Sequence, residues 1–389
     1  MNPQALPLAL YVHLPWCVRK CPYCDFNSHQ RPAALPEQAY VDALLDDLDL
    51  DLPLAQGRPL RSIFFGGGTP SLFSAAAIGR FLDGVRARLP LATDCEITLE
   101  TNPGTAEFDR FEGYLRAGIN RVSFGIQSFD DAMLQRLGRI HGSAEARAAV
   151  RMARAAGVPN INLDLMYALP EQTLQGALSD LEAALELAPE HLSHYQLTLE
   201  PQTVFARFPP EGLPDDDLLM DMQEACQARL AAAGYAQYEV SAYAQPERQS
   251  RHNRNYWLYG DYLGIGAGAH GKYTHPAGIL RRERERVPTR YLGGARIASE
   301  RAVAPHERPF EYMLNALRLR AGFGKTQYAQ RTGLTLEDHP GFADAVSRGL
   351  LLLREDDVCA SELGYRFLND TIALFMTADS AADRHQPLE

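Results

Sequence analysis

An α/β fold is predicted by three features of the sequence. Strand-like apolar runs alternate with helix-like stretches in six successive units between Leu8 and Leu199. Such βα units imply parallel strands with helices covering them. The residue types able to hold a ligand fall directly after the strand-like runs, where parallel α/β folds build their sites.

The elements follow in order. Leu8 to Leu14 is a continuous apolar run and reads as a buried strand. Glu37 to Leu50 has helical periodicity with an acidic outer face. Ser62 to Phe65 is a short apolar strand that runs into glycines, and Ala75 to Leu89 is a helix. Glu96 to Glu100 is a strand, Phe108 to Ala117 a helix, and Arg121 to Phe124 a strand. Ala144 to Ala156 is an Ala/Arg-rich helix, Ile161 to Met166 a strand, Leu174 to Leu187 a helix, and Leu192 to Leu199 a strand.

Beyond these units the pattern changes. Ile279 to Glu307 is polar and holds Arg281-Arg282-Glu283-Arg284-Glu285-Arg286. It is expected as a solvated connector or exposed helix, with a basic docking surface as the alternative. Phe310 to Leu319 opens a helical segment, and short helices follow near Lys325 and Phe342. Leu351 to Val358 and Gly364 to Leu368 are expected as a small hairpin, with a last helix near Asp370 to Met376. The expected organisation is a barrel-forming region over 1–275, a connector over 276–308, a small helical domain over 309–378 and a mobile polar tail over 379–389.

Composition narrows the function classes. The 389 residues are 46% hydrophobic, which allows a large core, and the formal net charge is −11. That charge argues against a nucleic-acid binder, which needs a basic face. Of six cysteines, Cys95, Cys226 and Cys359 are scattered, so no disulfide framework is visible and a reduced cytoplasm fits. Met1 to Pro7 lacks the features of a signal peptide, and no apolar run reaches membrane-spanning length. Peripheral membrane contact is left open.

The other three cysteines carry the chemistry. Cys17, Cys21 and Cys24 have C-x3-C-x2-C spacing on the loop that follows the first strand. Three thiolates this close can hold one metal centre with a position left open. A [4Fe–4S] cluster with three protein ligands leaves one iron free for a substrate. Structural zinc would need a fourth ligand, and His13 and His29, the nearest, lack zinc-finger spacing.

The cysteines followed by Gly66-Gly67-Gly68-Thr69-Pro70 resemble the radical S-adenosylmethionine (SAM) superfamily. Tyr11-x-His13-x-Pro15 and Tyr23 narrow the resemblance to the branch of oxygen-independent coproporphyrinogen III oxidases and the HemW-type heme chaperones. It covers the chain to about residue 275 and more weakly beyond. The resemblance implies a partial (β/α)6 barrel with a small winged-helix-like C-terminal domain. It also implies a [4Fe–4S] cluster and bound SAM, with one electron passing from the reduced cluster to the SAM sulfonium.

Site residues follow from the same resemblance. Cys17, Cys21 and Cys24 are the implied metal ligands. Gly67, Gly68 and Thr69 are the implied loop at the methionine end of SAM; glycines let a backbone approach a ligand closely. Glu100, Gln127, Arg139 and Asp164 match the family's SAM-binding positions. A carboxylate suits ribose hydroxyls, and an arginine suits a carboxylate. Tyr11 and Tyr23 are implied beside SAM, whereas Trp16 could equally be core. His191 and His194 remain weak candidates, because a lone histidine is most often a satisfied core group.

Two functions of different class compete. One is a heme-binding chaperone that delivers heme to acceptor proteins; the other is the oxidative decarboxylase of coproporphyrinogen III. The oxidase pattern has a further cysteine where this chain has Phe26, and it carries a long extension before its cluster, where only 16 residues precede Cys17. His252-Asn253-x-x-Tyr256-Trp257 resembles the chaperone side. It offers an imidazole for heme iron and two aromatics for a porphyrin face; read without the resemblance, it is a polar turn before a buried aromatic pair. The chaperone reading is favoured. The core alone does not imply enzymatic turnover of SAM.

Overall fold

Strand β1 (Leu8–Leu14) is buried throughout except at half-buried Tyr11, because strands flank it on both edges and helices cover the sheet. A computed structural model describes residues 2–105 and 108–376; the tail expected at 379–389 lies outside them. After β1 come helix α1 (Glu37–Ala55), β2 (Leu60–Gly67), α2 (Ala75–Arg86), β3 (Leu91–Thr101), α3 (Phe108–Ala117), β4 (Arg121–Gln127), α4 (Asp131–Arg136) and α5 (Ser143–Ala155). Then follow β5 (Ile161–Tyr167), α6 (Leu174–Leu185), β6 (His191–Gln196), the single turn α7 (Val204–Arg207) and α8 (Asp216–Ala232).

Strands β1 to β6 pair in sequence order, all parallel. This is the (β/α)6 core that the alternation predicts, and it puts all six C-terminal strand ends on one rim. Ser74, Asp130, Thr173 and Asp215 cap α2, α4, α6 and α8 with side-chain oxygens, the residue types that favour helix starts.

The sheet does not stop at six strands. Hairpin strands β7 (Ala236–Glu239) and β8 (Ala242–Ala244) extend it beside β6. Helix α9 (Arg251–Trp257) leads into β9 (Asp261–Ile265), which lies parallel to β1, and then come β10 (His270–His275) and β11 (Gly278–Arg284). Helix α10 (Pro288–Leu292) precedes β12 (Ile297–Val303), and the order is β12-β11-β10-β9-β1-β2-β3-β4-β5-β6-β8-β7.

The stretch expected as a solvated connector or exposed helix is thus two strands of the main sheet. Its charge is what misled the reading. Arg284 is fully buried, with Nε 2.8 Å from Asp47 Oδ1 and Nη2 2.7 Å from Asp51 Oδ2, and Arg282 pairs with Asp51 and with Glu300. The same contacts correct α1, whose acidic residues were expected on its outer face. Asp42, Asp46 and Asp49 are exposed, but Asp47 and Asp51, one turn apart, point inward. The buried face carries α1 past Leu50 to Ala55 in spite of Pro53.

The C-terminal part contains α11 (Arg308–Ala316), β13 (Phe323–Gly324), α12 (Lys325–Thr332), α13 (Pro340–Ser347), β14 (Leu351–Arg354), β15 (Asp357–Ala360), α14 (Glu362–Arg366) and α15 (Leu368–Ala373). The hairpin pairs β14 with β15, both within 351–360, and Gly364 to Leu368, expected as its second strand, falls instead in α14 and the start of α15. Its core, with Tyr312, Met313, Phe323, Tyr328 and Val358, continues into Tyr259, Ile279 and Val303 of the main body.

Candidate functional site

The cysteine loop leaves β1 and doubles back. Trp16–Cys17 pairs with His29–Gln30 as a short parallel bridge, and Cys24 N donates to Cys21 O at 3.2 Å. Cys17, Cys21 and Cys24 are unpaired and half-buried. They line one wall of a cavity of about 410 Å³ at the C-terminal strand rim. Gly68 N donates to Leu14 O at 2.9 Å and Thr69 N to Trp16 O at 2.8 Å, which docks the end of β2 against the loop. Thr69 Oγ1 lies 3.6 Å from Cys17 Sγ, and Arg139 Nη1 lies 3.5 Å from Cys21 Sγ.

The glycines are required here. Gly67 has φ +110°, and a Cβ on it would lie 2.7 Å from the His13 ring; a Cβ on Gly68 would lie 2.5 Å from Trp16 O. Any larger residue would push the β2 turn off the cysteine loop. Trp16 is buried, edge-on to Tyr40 at 4.7 Å. It is a core residue.

The other walls gather the strand-end residues. Tyr23, Gly67, Gly68, Thr69, Glu100, Gln127, Arg139 and Asp164 all face the same cavity. Gln127 sits at a register break in β4 with φ +76°, a left-handed conformation costly for its side chain. Its Oε1 accepts from Tyr195 OH at 2.8 Å. Arg139 Nη2 donates to Asn102 Oδ1 and to Gly125 O, each at 2.5 Å, while its buried Nε has no partner among the described residues.

Tyr11 lies at the edge of this group. It does not line this cavity but a neighbouring one, of about 360 Å³. Its OH bonds His13 Nδ1 at 2.9 Å, and its ring lies close to Gly66, where a Cβ would sit 3.0 Å from Tyr11 Cε2 and 3.2 Å from Glu100 Oε2. His13 Nε2 in turn bonds Asn27 O at 2.8 Å, and His29 Nε2 lies 3.3 Å from Arg286 O. Neither histidine faces the thiols, so neither completes a four-ligand zinc set. Three thiols on one wall with an open cavity opposite are the donor set of a cluster held by three cysteines, although among the described residues no three such side chains are placed to hold one metal ion as they stand.

Burial sets the electrostatics. It pushes Glu100 up to about 8, reinforced by the facing Asp164 and opposed by the Gly67 N–H. Asp164 is also raised by burial, although Asn162 Nδ2 donates to it at 2.7 Å. Burial raises the Cys17 and Cys24 thiols as well, so metal binding here releases protons.

The residues expected to form a heme-facing surface do not form one together. His252 is buried in α9, with its ring stacked on Phe64 at 4.9 Å. Nδ1 is 2.9 Å from Ser62 Oγ and Nε2 3.0 Å from Tyr256 OH, so both ring nitrogens are engaged. Burial pushes its pKa down to about 3. Trp257 points to the C-terminal part, where the Arg318 guanidinium lies 4.3 Å from its ring. Tyr256 alone of the three reaches a cavity, the one that holds Tyr11. Adjacent helix positions diverge by about 100°, so a Tyr-Trp pair cannot present one flat face.

The weak candidates resolve as core. His191 bonds Asn162 Oδ1 at 2.6 Å and Tyr238 OH at 2.8 Å, and His194 stacks on Tyr167. Asn102 and Tyr195 were missed. Asn102 joins Thr69 Oγ1 at 2.8 Å to Arg139, and Tyr195 holds Gln127. Asn102 stands two places after Glu100, so its strand-end position was the available signal.

Comparison with known proteins agrees with this architecture. The radical SAM superfamily model matches residues 11–184, and the HemN C-terminal domain model matches residues 303–367. The heme chaperone HemW of Escherichia coli K12 is 52% identical over 95% of this chain and 98% of its own. That of Haemophilus influenzae is 49% identical over 97% of this chain and 100% of its own. The solved coproporphyrinogen III oxidase (HemN) of Escherichia coli shares the fold, with a TM-score of 0.81 at 23% identity over 97% of this chain and 91% of that one. Among the described residues no helix is long and apolar enough to cross a membrane. The family implies SAM and a [4Fe–4S] cluster, and the chain belongs to the HemW family within the radical SAM superfamily.

Proposed function

We propose that this protein is a heme chaperone that binds heme, delivers it to acceptor proteins, and carries a SAM-bound [4Fe–4S] cluster. The observation that carries the reading is near-complete coverage of relatives named heme chaperones, at 52% and 49% identity. Phe26, exposed at the place of the oxidase's further cysteine, favours the same side.

In this reading Cys17, Cys21 and Cys24 hold the cluster and leave one position facing the cavity. Arg139, with an unpartnered buried Nε, takes the SAM carboxylate. Glu100 and Asp164 accept from the ribose hydroxyls, Tyr23 lies beside the adenine, and the Gly67–Gly68 backbone meets the methionine amino group. Gln127, clamped by Tyr195, closes the far wall. When bound, the cluster and SAM supply one-electron reductive chemistry, and the protein supplies orientation and shelter from water.

The test is anaerobic. The reconstituted chain is incubated with ferric heme and, separately, with coproporphyrinogen III under reducing conditions. Heme binding without loss of porphyrin carboxylates is the expected result. Decarboxylation of coproporphyrinogen III would make the chain an oxidase instead, and absence of heme binding would remove the chaperone reading.

A further inference from the structure

A second cavity of about 360 Å³ adjoins the first, and the two share Asp25 and Phe26 as a wall. It is built by residues far apart in sequence. Tyr11 comes from β1, Tyr256 from α9, Tyr262 from β9, His270 from the start of β10, and Arg286 from just beyond β11. Tyr256 and Tyr262 meet edge to face at 4.5 Å, and Phe26 is 57% exposed at the rim. Three tyrosines and Phe26 line the cavity together with Arg286 and Asp25.

Its two histidines differ. His13 has both ring nitrogens engaged, as above. His270 is 63% exposed, and its Nδ1 faces Glu283 Oε1 at 3.7 Å across the antiparallel β10–β11 pair. That leaves Nε2 as the imidazole nitrogen without a partner among the described residues. An imidazole nitrogen left open at the edge of a cavity can ligate a metal ion.

The loop that delivers His270 is rigidly placed. Gly266 has φ +97°, with a would-be Cβ 2.3 Å from His13 O. Gly266 N donates to Asp47 Oδ2 at 3.1 Å and Ala267 N to Tyr40 OH at 2.8 Å. Asn27 Nδ2 ties the cysteine loop to Ala267 O and Arg286 O, each at 2.9 Å.

We propose that this cavity is the docking site for heme, with His270 Nε2 as the iron ligand; the proposal rests on the chaperone reading above. The aromatic walls suit a flat macrocycle. Arg286 suits a propionate, while Asp25 on the shared wall turns the propionates toward the arginine side. A space of about 360 Å³ is too small to enclose a whole porphyrin, so an edge stays outside, as handover to an acceptor requires. His252 is then a positioning residue. It bonds Tyr256 OH and so fixes a wall, without touching iron.

The test uses the full chain with its cluster reconstituted anaerobically and titrated with ferric heme. His270→Ala is expected to change the heme absorption bands and weaken binding about tenfold or more, with the cluster absorbance intact. His270→Gly should regain the wild-type bands on adding imidazole, which a merely structural role would not allow. His252→Ala should weaken binding but keep the bands of a histidine-ligated iron. If the wild type binds no heme, the chaperone reading fails and this proposal with it. If the wild type binds heme and His270→Ala matches it in bands and affinity, the chaperone reading stands and this site is overturned.

Discussion

Arg139 illustrates how much a single side chain is asked to do in the cysteine-lined cavity. It touches Cys21, Asn102 and Gly125 and keeps one buried N–H without a partner. Arg139→Ala is expected to weaken SAM binding by about 1.5–3 kcal/mol, the scale of a hydrogen bond to a charged group. Calorimetric titration of the reconstituted protein checks this, and unchanged affinity would remove Arg139 from the SAM site. Glu100 gives a pH signature in the ligand-free chain. Its ordinary value of 4.5 is raised to about 8 on folding. Between those values the folded chain holds a proton that the unfolded chain has released, so this group's contribution to stability falls as pH rises. Glu100→Gln keeps the neutral form at every pH. The melting temperature of the variant should therefore exceed wild type by a margin that grows from about pH 4.5 to about pH 8, and a margin independent of pH would show that Glu100 is ionised in the folded chain.

At the scale of elements, the turn after β2 and the two charged strands carry the tests. Gly67→Ala or Gly68→Ala places a Cβ within 2.7 Å of His13 or 2.5 Å of Trp16 O. Either variant should hold markedly less iron after reconstitution although no cysteine has changed; full iron content would mean the loop can shift without cost. Strand β11 brings Arg284 to Asp47 and Asp51 on α1. Arg284→Leu leaves buried Asp47 without its cation and Asp51 with Arg282 in place of two, and should cost about 3–5 kcal/mol in chemical denaturation. Arg290→Leu, at a side chain 69% exposed, should stay within about 0.5 kcal/mol. Equal losses from the two variants would deny the buried network its role.

The whole molecule is held as one body by a shared core. Tyr259, Ile279 and Val303 pack with Tyr312, Phe323 and Val358, and Arg318 covers Trp257. A chain ended at Val303 would expose that apolar surface. It is expected to aggregate or melt well below the full chain, and the full chain should melt in one calorimetric transition. Two well-separated transitions, the first abolished by the truncation, would show that the C-terminal part folds independently.

Local sequence determined the elements whose pattern is local. The apolar run of β1, the alternation through β6, the C-x3-C-x2-C spacing and the glycines before Thr69 are all legible, because side-chain periods of 2 and 3.6 and short loop spacings involve only chain neighbours. From these came the fold class and the cysteine site, and the family resemblance they carry implied most of the cavity walls. The tertiary structure alone decided which way individual side chains point and what neutralises them. Arg284 reads as solvated because its partner Asp51 lies 233 positions away. His252 reads as available because Ser62, which takes its Nδ1, is 190 positions distant. Tyr11 and Tyr23 read alike, yet they line different, adjoining cavities in the folded chain. A charged or aromatic residue carries no local mark of its burial: the desolvation cost that would exclude it is offset by a partner that only the folded chain brings near.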